Sequence, residues 1–227
     1  NIHGRGLKMR PIIDDVEAFS LVDGDGVLHR CSRFENEELF RLAIGGYGCF
    51  GVITSVLLRL TPRQKLERLV KVTTIDQVIP EMDQRMKAGC LYGDFQFSID
   101  ETSADFLNRG VLSSYRPVDH ARDMPEVRKD LGTEDWGQLI RLAHENRKEV
   151  FKVYSEFYLS THKELYWSDT HQLSVYLEDY HSELDLECGA KVTASEMISE
   201  LYVPRGDLPA FMTGAAGLLR DGAVPVI

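Results

Sequence analysis

Gly45-Gly46-Tyr47-Gly48-Cys49-Phe50-Gly51 carries the pattern G-x-G-x-x-G from Gly46 onward, and the residues on either side of it decide how the chain folds. In a Rossmann dinucleotide-binding unit such glycines follow a strand and open a helix, so that a pyrophosphate rests on the helix's positive N-terminal end. Here the order is reversed. Upstream, Ser32-Arg33-Phe34-Glu35 reads as a capping box. Glu35, Glu37 and Glu38 suit the start of a helix, and Leu39, Phe40, Ala43 and Ile44 give it an apolar face. A helix therefore runs into the glycines. Downstream, Val52 to Leu60 is β-branched and mostly apolar, and Thr61-Pro62 stops it, so a buried strand is expected to leave them. What survives of the match is its mechanism. Closely spaced glycines permit positive φ and bare backbone, so N–H groups can approach a phosphate or a ring edge. The segment is either such a nucleotide-cofactor loop or a tight helix-to-strand turn.

Composition narrows the function classes. The 227 residues, 43% hydrophobic and 27% charged, are those of an ordinary globular protein with room for a sizeable core. A net charge of −10 with no basic cluster argues against nucleic acid as a partner. No apolar run reaches the roughly 18 residues needed to span a membrane, and no signal peptide opens the chain. Cys31, Cys49, Cys90 and Cys188 lie far apart with no C-x-x-C, which disfavours zinc and a disulfide framework and fits a reducing, cytoplasmic compartment. Both termini look cut, so a fragment is expected.

Along the chain, Asp15 to Val22 and Val27 to Cys31 read as strands joined by the hairpin turn Asp23-Gly24-Asp25-Gly26. A calcium loop is excluded because Val27 stands where a further Asp or Asn ligand is required. After Thr61-Pro62-Arg63 a second unit begins. It opens with a strand from Leu66 to Thr73 and a helix from Asp76 to Ala88, with Val78, Ile79, Met82 and Met86 on one face and Gly89 as its stop. A half-buried strand follows, with Leu91, Gly93, Phe95, Phe97 and Ile99 on one side. A helix is expected around Trp136 to Arg147, then an aromatic-rich stretch from Tyr154 to Tyr180. Near the end, a strand from Glu196 to Val203, a helix opened by Asp207 with Phe211, Ala215, Leu218 and Leu219 inward, and a last strand echo the first strand-helix-strand. The fold class is α+β.

Three blocks together carry a resemblance: Asn1-Ile2-His3-Gly4, Glu35-Asn36-Glu37-Glu38-Leu39-Phe40, and Gly45-Gly46-Tyr47-Gly48-Cys49-Phe50-Gly51-Val52-Ile53. With the Asp-Gly hairpin between the first two, residues 1–63 resemble the C-terminal half of the FAD-binding domain of PCMH-type flavoproteins, the vanillyl-alcohol-oxidase superfamily. Within it the Ile-His-Gly, Glu-Leu-Phe and Gly-Gly-x-Gly blocks are similar to decaprenylphosphoryl-ribose oxidase, sterol side-chain reductase and their bacterial relatives. Residues 64–227 would correspond to a partial substrate or cap domain.

The resemblance implies FAD as cofactor. It implies that Ile2, His3 and Gly4 pass beside the flavin and pyrophosphate, with Asn1 as a polar neighbour. Gly45, Gly46, Gly48 and Gly51 would lie along the adenosine and pyrophosphate, and Val52 and Ile53 would offer backbone groups to the adenine. The implied activity is that of an FAD-linked oxidoreductase passing a hydride between a substrate carbon and flavin N5. The small-molecule substrate would be an alcohol, a sugar derivative, a hydroxy acid or an isoprenoid or sterol-like compound. His3, with an ordinary pKa near ~6.5, is the candidate catalytic group, although a histidine that only hydrogen-bonds the flavin satisfies the same pattern. The chain alone is expected to be inactive. The alternative is a non-catalytic fragment or binding module with half a cofactor site. An NAD-dependent Rossmann dehydrogenase is disfavoured by the helix-before-strand order.

Other constellations have ordinary explanations. His162, His171 and His181 with Asp169, Glu178 and Asp179 match no metal-ligand spacing and read as surface residues, so no metal is expected. The aromatic stretch either lines a substrate cavity or packs a core. Arg205, after Pro204, either binds an anion or faces solvent, and no G-x-S-x-G supports serine catalysis.

Overall fold

The computed structural model describes residues 6–126, 129–169, 177, 180–192 and 198–226. The chain divides into two compact units, residues 1–63 and 64–227.

In the first unit a short 3-10 turn precedes β1 (Val16–Val22), β2 (Leu28–Ser32), α1 (Glu37–Ala43) and β3 (Val52–Leu58). The three strands form an antiparallel sheet in the order β2-β1-β3. β1 shows why it is central. A register shift between Val16 and Ala18 brings Val16 into the core with Phe19 and Leu21, against Cys31 and Phe40. Phe40 reaches that core from α1 and stacks on Phe19 with ring centroids 5.4 Å apart. The capping box does not form. Ser32 Oγ instead accepts from the amides of Phe34 and Glu35, a local turn that delays the helix to Glu37. Asn36 takes the preceding position in a left-handed conformation, φ 48°, with its side-chain amide donating to the Arg30 carbonyl.

The second unit is built on β4 (Lys65–Thr74), β5 (Tyr92–Phe97), β6 (Arg109–Pro117) and β7 (Leu165–Trp167), antiparallel in the order β5-β6-β4-β7. Between them run α2 (Ile75–Lys87), α3 (Thr133–Glu145) and α4 (Arg147–Ser160), and after β7 come α5 (Tyr180–Glu187) and α6 (Leu208–Asp221). Strand residues alternate between two faces. Phe95, Phe97 and Leu112 meet α2 and α6 through Ile75, Val78, Leu208 and Met212. Arg68 and Tyr115 share the opposite face with α4, where Tyr158 lies against Arg68.

Several expectations are corrected here. The strand after the glycines forms but is not buried: every residue of β3, an outer strand of its sheet, is exposed. β6 has no counterpart in the sequence reading, yet Gly110 to Tyr115 are all buried. Its serines hide it, and they are satisfied internally, with Ser114 Oγ accepting from Arg85 at 2.6 Å. α6 turns a different face inward. Met212, Ala216 and Leu219 pack, whereas Phe211 and Leu218 are exposed. Residues 198–203 and 222–226 form no strand, so the second strand-helix-strand is not present among the described residues.

Candidate functional site

The glycine turn joins α1 to β3 by a succession of short loops, in which the amides of Gly46, Cys49 and Gly51 donate to the carbonyls of Ala43, Gly46 and Gly48. Positive φ occurs at Gly45 (78°), Tyr47 (52°), Gly48 (77°) and Gly51 (134°). The glycines divide into two kinds by what a Cβ would meet. At Gly51 it would collide with the Val22 carbonyl, and at Gly46 with the Leu42 carbonyl and the Phe50 ring, so the fold itself demands both. At Gly48 it would meet nothing within 4 Å. Gly48 therefore presents bare backbone to open space, next to a Tyr47 that is 99% exposed. The amides of Tyr47 and Gly48 have no hydrogen-bond partner among the described residues.

β3 continues this surface. Val52 and Ile53 pair with Val22 and Leu21 of β1 on one side, and as the outer strand β3 leaves its other edge unpaired among the described residues. The turn thus supplies the amides of the exposed Tyr47 and Gly48, and the strand supplies alternating amides and carbonyls, with no charged side chain from Gly45 to Leu58. This donor set fits an uncharged ring edge or a phosphate held by backbone groups. Gly45, Gly46, Gly48, Gly51, Val52 and Ile53 are thereby brought together. Asn1, Ile2, His3 and Gly4 lie outside the described residues.

In the second unit a cavity of about 380 Å³ opens between the end of β5 and helices α3 and α4, lined among others by Ile99, Trp136, Leu139, Ala143 and Tyr154. Tyr154 and Tyr180 of the aromatic stretch line it. The others pack. Tyr158 and Tyr166 place their rings against the Arg68 guanidinium, 5.3 and 4.1 Å from the centroids, and Trp167 covers the Lys65 ammonium. Burial, followed by the neighbouring Tyr158, pushes the Tyr154 phenol well above its usual range, so it stays neutral.

The remaining candidates are structural. Arg205 pairs with Asp83. His162 Nδ1 accepts from the Val70 amide at 3.1 Å, extending the β4 edge, and His181 packs on Tyr180. His171, Glu178 and Asp179 lie outside the described residues, and no metal-holding group of three such side chains exists among those described. Asp23 serves its own turn. Its carboxylate accepts from the amides of Asp25 and Val27 and meets His29 Nε2 at 2.6 Å, which leaves no calcium loop. No described helix is long and apolar enough to cross a membrane.

No protein-family model matches the chain. Among curated proteins it is similar to cytokinin dehydrogenase 9 of Oryza sativa subsp. japonica, 30% identical over 122 residues that cover 54% of this chain and 23% of that protein. It is also similar to L-gulonolactone oxidase of Bos taurus, 31% identical over 85 residues, 37% of this chain and 19% of the oxidase. A third relative, the uncharacterized oxidoreductase ORF5 in the fasciation locus of Rhodococcoides fascians, is 39% identical over 70 residues, 31% of this chain and 15% of that protein. These relatives are oxidoreductases. The chain spans about a fifth of the length of the first two, 23% and 19%.

Proposed function

We propose that this chain is part of an FAD-dependent oxidoreductase of the PCMH type, with residues 1–63 as the C-terminal half of the flavin domain and residues 64–227 as a partial substrate domain. The observation that carries the reading is Gly48: left-handed backbone facing open space, with its own amide and that of Tyr47 unpartnered among the described residues, in a chain similar to dehydrogenases and oxidases. Gly45, Gly46, Gly48 and Gly51 hold the adenosine and pyrophosphate side, and Val52 and Ile53 offer backbone groups to the adenine. Asn1, Ile2, His3 and Gly4 border the flavin. FAD, when bound, supplies the hydride acceptor at flavin N5.

What the chain's own residues contribute is binding and orientation. Gly48 keeps the approach free of side-chain atoms. The exposed amides of Tyr47 and Gly48 donate to phosphate oxygens without the reorganisation a mobile side chain would need. His3 acts at the flavin edge as the proton acceptor for the substrate or as a hydrogen-bonding neighbour. The substrate is an alcohol, a sugar derivative or an isoprenoid or sterol-like compound. The Ile-His-Gly and Glu-Leu-Phe blocks favour the decaprenylphosphoryl-ribose oxidase and sterol side-chain reductase group.

The test uses the full-length parent protein. It is expected to purify yellow and to lose its visible flavin absorbance when substrate is added anaerobically. A Gly48→Val parent should fold but fail to retain FAD. A colourless parent that takes up no added FAD overturns the reading in favour of a binding module.

A further inference from the structure

The cavity of the second unit has a chemistry of its own. Its volume of about 380 Å³ falls within the range of small-molecule sites, and among the described residues its lining includes no Asp, Glu, Lys, Arg or His. The floor is firm, because Leu139, Ala143 and Val150 are core residues of the α3–α4 pair. Trp136 and Tyr154 add flat aromatic walls.

One lining residue, Gln96, is exposed and carries an amide. Its orientation is set by a neighbour. Gln96 Nε2 donates to Asp94 Oδ2 at 3.3 Å, and since a carboxylate only accepts, the Gln96 carbonyl oxygen turns the other way. Anions would lose their hydration here with no cation among the described lining residues to replace it and with the Asp94 carboxylate nearby. An uncharged molecule with a single N–H or O–H loses little, because Gln96 Oε1 accepts from it.

We propose that the cavity between β5 and helices α3 and α4 binds a small, uncharged, largely apolar molecule, with Gln96 as its hydrogen-bonding contact. The cavity lies wholly within residues 64–227, so its occupancy is measurable with or without FAD, and loss of FAD binding in the parent leaves this site standing.

The experiment titrates the 227-residue chain, carrying Trp167→Phe so that Trp136 is the sole indole, with the neutral fluorophore N-phenyl-1-naphthylamine. Saturable probe fluorescence with matching quenching of Trp136 is expected. An anionic naphthalenesulfonate should bind at least tenfold more weakly. Ala143→Phe, which fills the cavity, should weaken the neutral probe at least tenfold. Ile140→Phe, on the more open wall, gives the same readout if Ala143→Phe fails to fold. Gln96→Leu should abolish the preference for 2-naphthol over naphthalene. Probe binding without Trp136 quenching places the probe outside the cavity and overturns the proposal. Binding that a folded filling variant leaves unchanged, or no saturable binding, overturns it equally.

Discussion

Arg68 and Tyr115 face each other across the β4–β6 pairing, and Arg68 Nε donates to the Tyr115 phenol oxygen at 3.0 Å. Arg68 is only 7% exposed and has no carboxylate within salt-bridge distance among the described residues. Its charge is held by Tyr115, Tyr158 and Tyr166 and by a hydrogen bond to Thr161 Oγ1. Burial is also the main reason the Tyr115 hydroxyl is pushed up to about 12. Tyr115→Phe leaves a buried guanidinium N–H unmet and should cost about 1–3 kcal/mol. Arg68→Met removes donor and charge together, and the double variant should cost less than the sum of the singles, as denaturant midpoints will read.

Glu67 sits on the other face of β4, 5% exposed, with Arg116 Nη2 at 2.6 Å and Arg122 Nη1 at 3.0 Å. Burial pushes its carboxyl up, but the hydrogen bonds from Arg122 and Arg116 outweigh it and hold the group below its usual 4.5. A lowered folded value means the contribution is full above pH 4.5 and is lost as pH falls through that lower value. Glu67→Gln should cost about 1–3 kcal/mol at pH 7, toward the lower end because both arginines are nearly half exposed. Melting temperatures from pH 6 to 3 should fall less steeply in the variant than in the native chain.

Asp23 anchors the β1–β2 turn, and its hydrogen bond with His29, then that from the Val27 amide, lowers its carboxyl from the usual 3.8. The sign is the same as for Glu67, with the loss beginning below pH 3.8. Asp23→Ala should lower the protection of the Asp25 and Val27 amides against hydrogen exchange near neutral pH, while their protection factors in the native chain should change little above pH 5.

Gly51 and Gly48 should respond oppositely to alanine. At Gly51 the new methyl runs into the Val22 backbone, so Gly51→Ala should disrupt the first unit outright, as loss of its circular dichroism would show. At Gly48 only the left-handed backbone resists, and Gly48→Ala should cost about 1–2 kcal/mol without loss of fold.

The exposed strand β3 carries Val52, Val56, Leu57 and Leu58, and its outer edge is unpaired among the described residues. Such an edge templates association between chains. The 227-residue chain should self-associate with rising concentration, and Leu57→Lys should reduce that association in sedimentation measurements.

The local elements were largely readable. The hairpin at Asp23 to Gly26 and the α1-turn-β3 order rest on residues that act within a few positions of one another. The helix α2 also follows its apolar spacing, with Val78, Ile79 and Met82 packed as the pattern requires. The site was readable only in part. Four glycines of one turn look alike in sequence, and only their surroundings separate Gly46 and Gly51, pressed against carbonyls, from Gly48, which faces open space.

What the sequence determined by itself is what nearest neighbours enforce: turn chemistry, helix periodicity and the reversed context that excludes a Rossmann unit. Tertiary structure decided the rest. β6 is an inner strand between β5 and β4, and Arg85 of another element satisfies its Ser114, although its serines resemble a loop. β3 is apolar yet exposed because burial depends on which elements cover a strand, and a strand's own residues do not specify them. The cavity exists because α3 and α4, separated at Asn146, pack on one another beside the end of β5, a convergence of residues 96 to 198 that no local pattern announces.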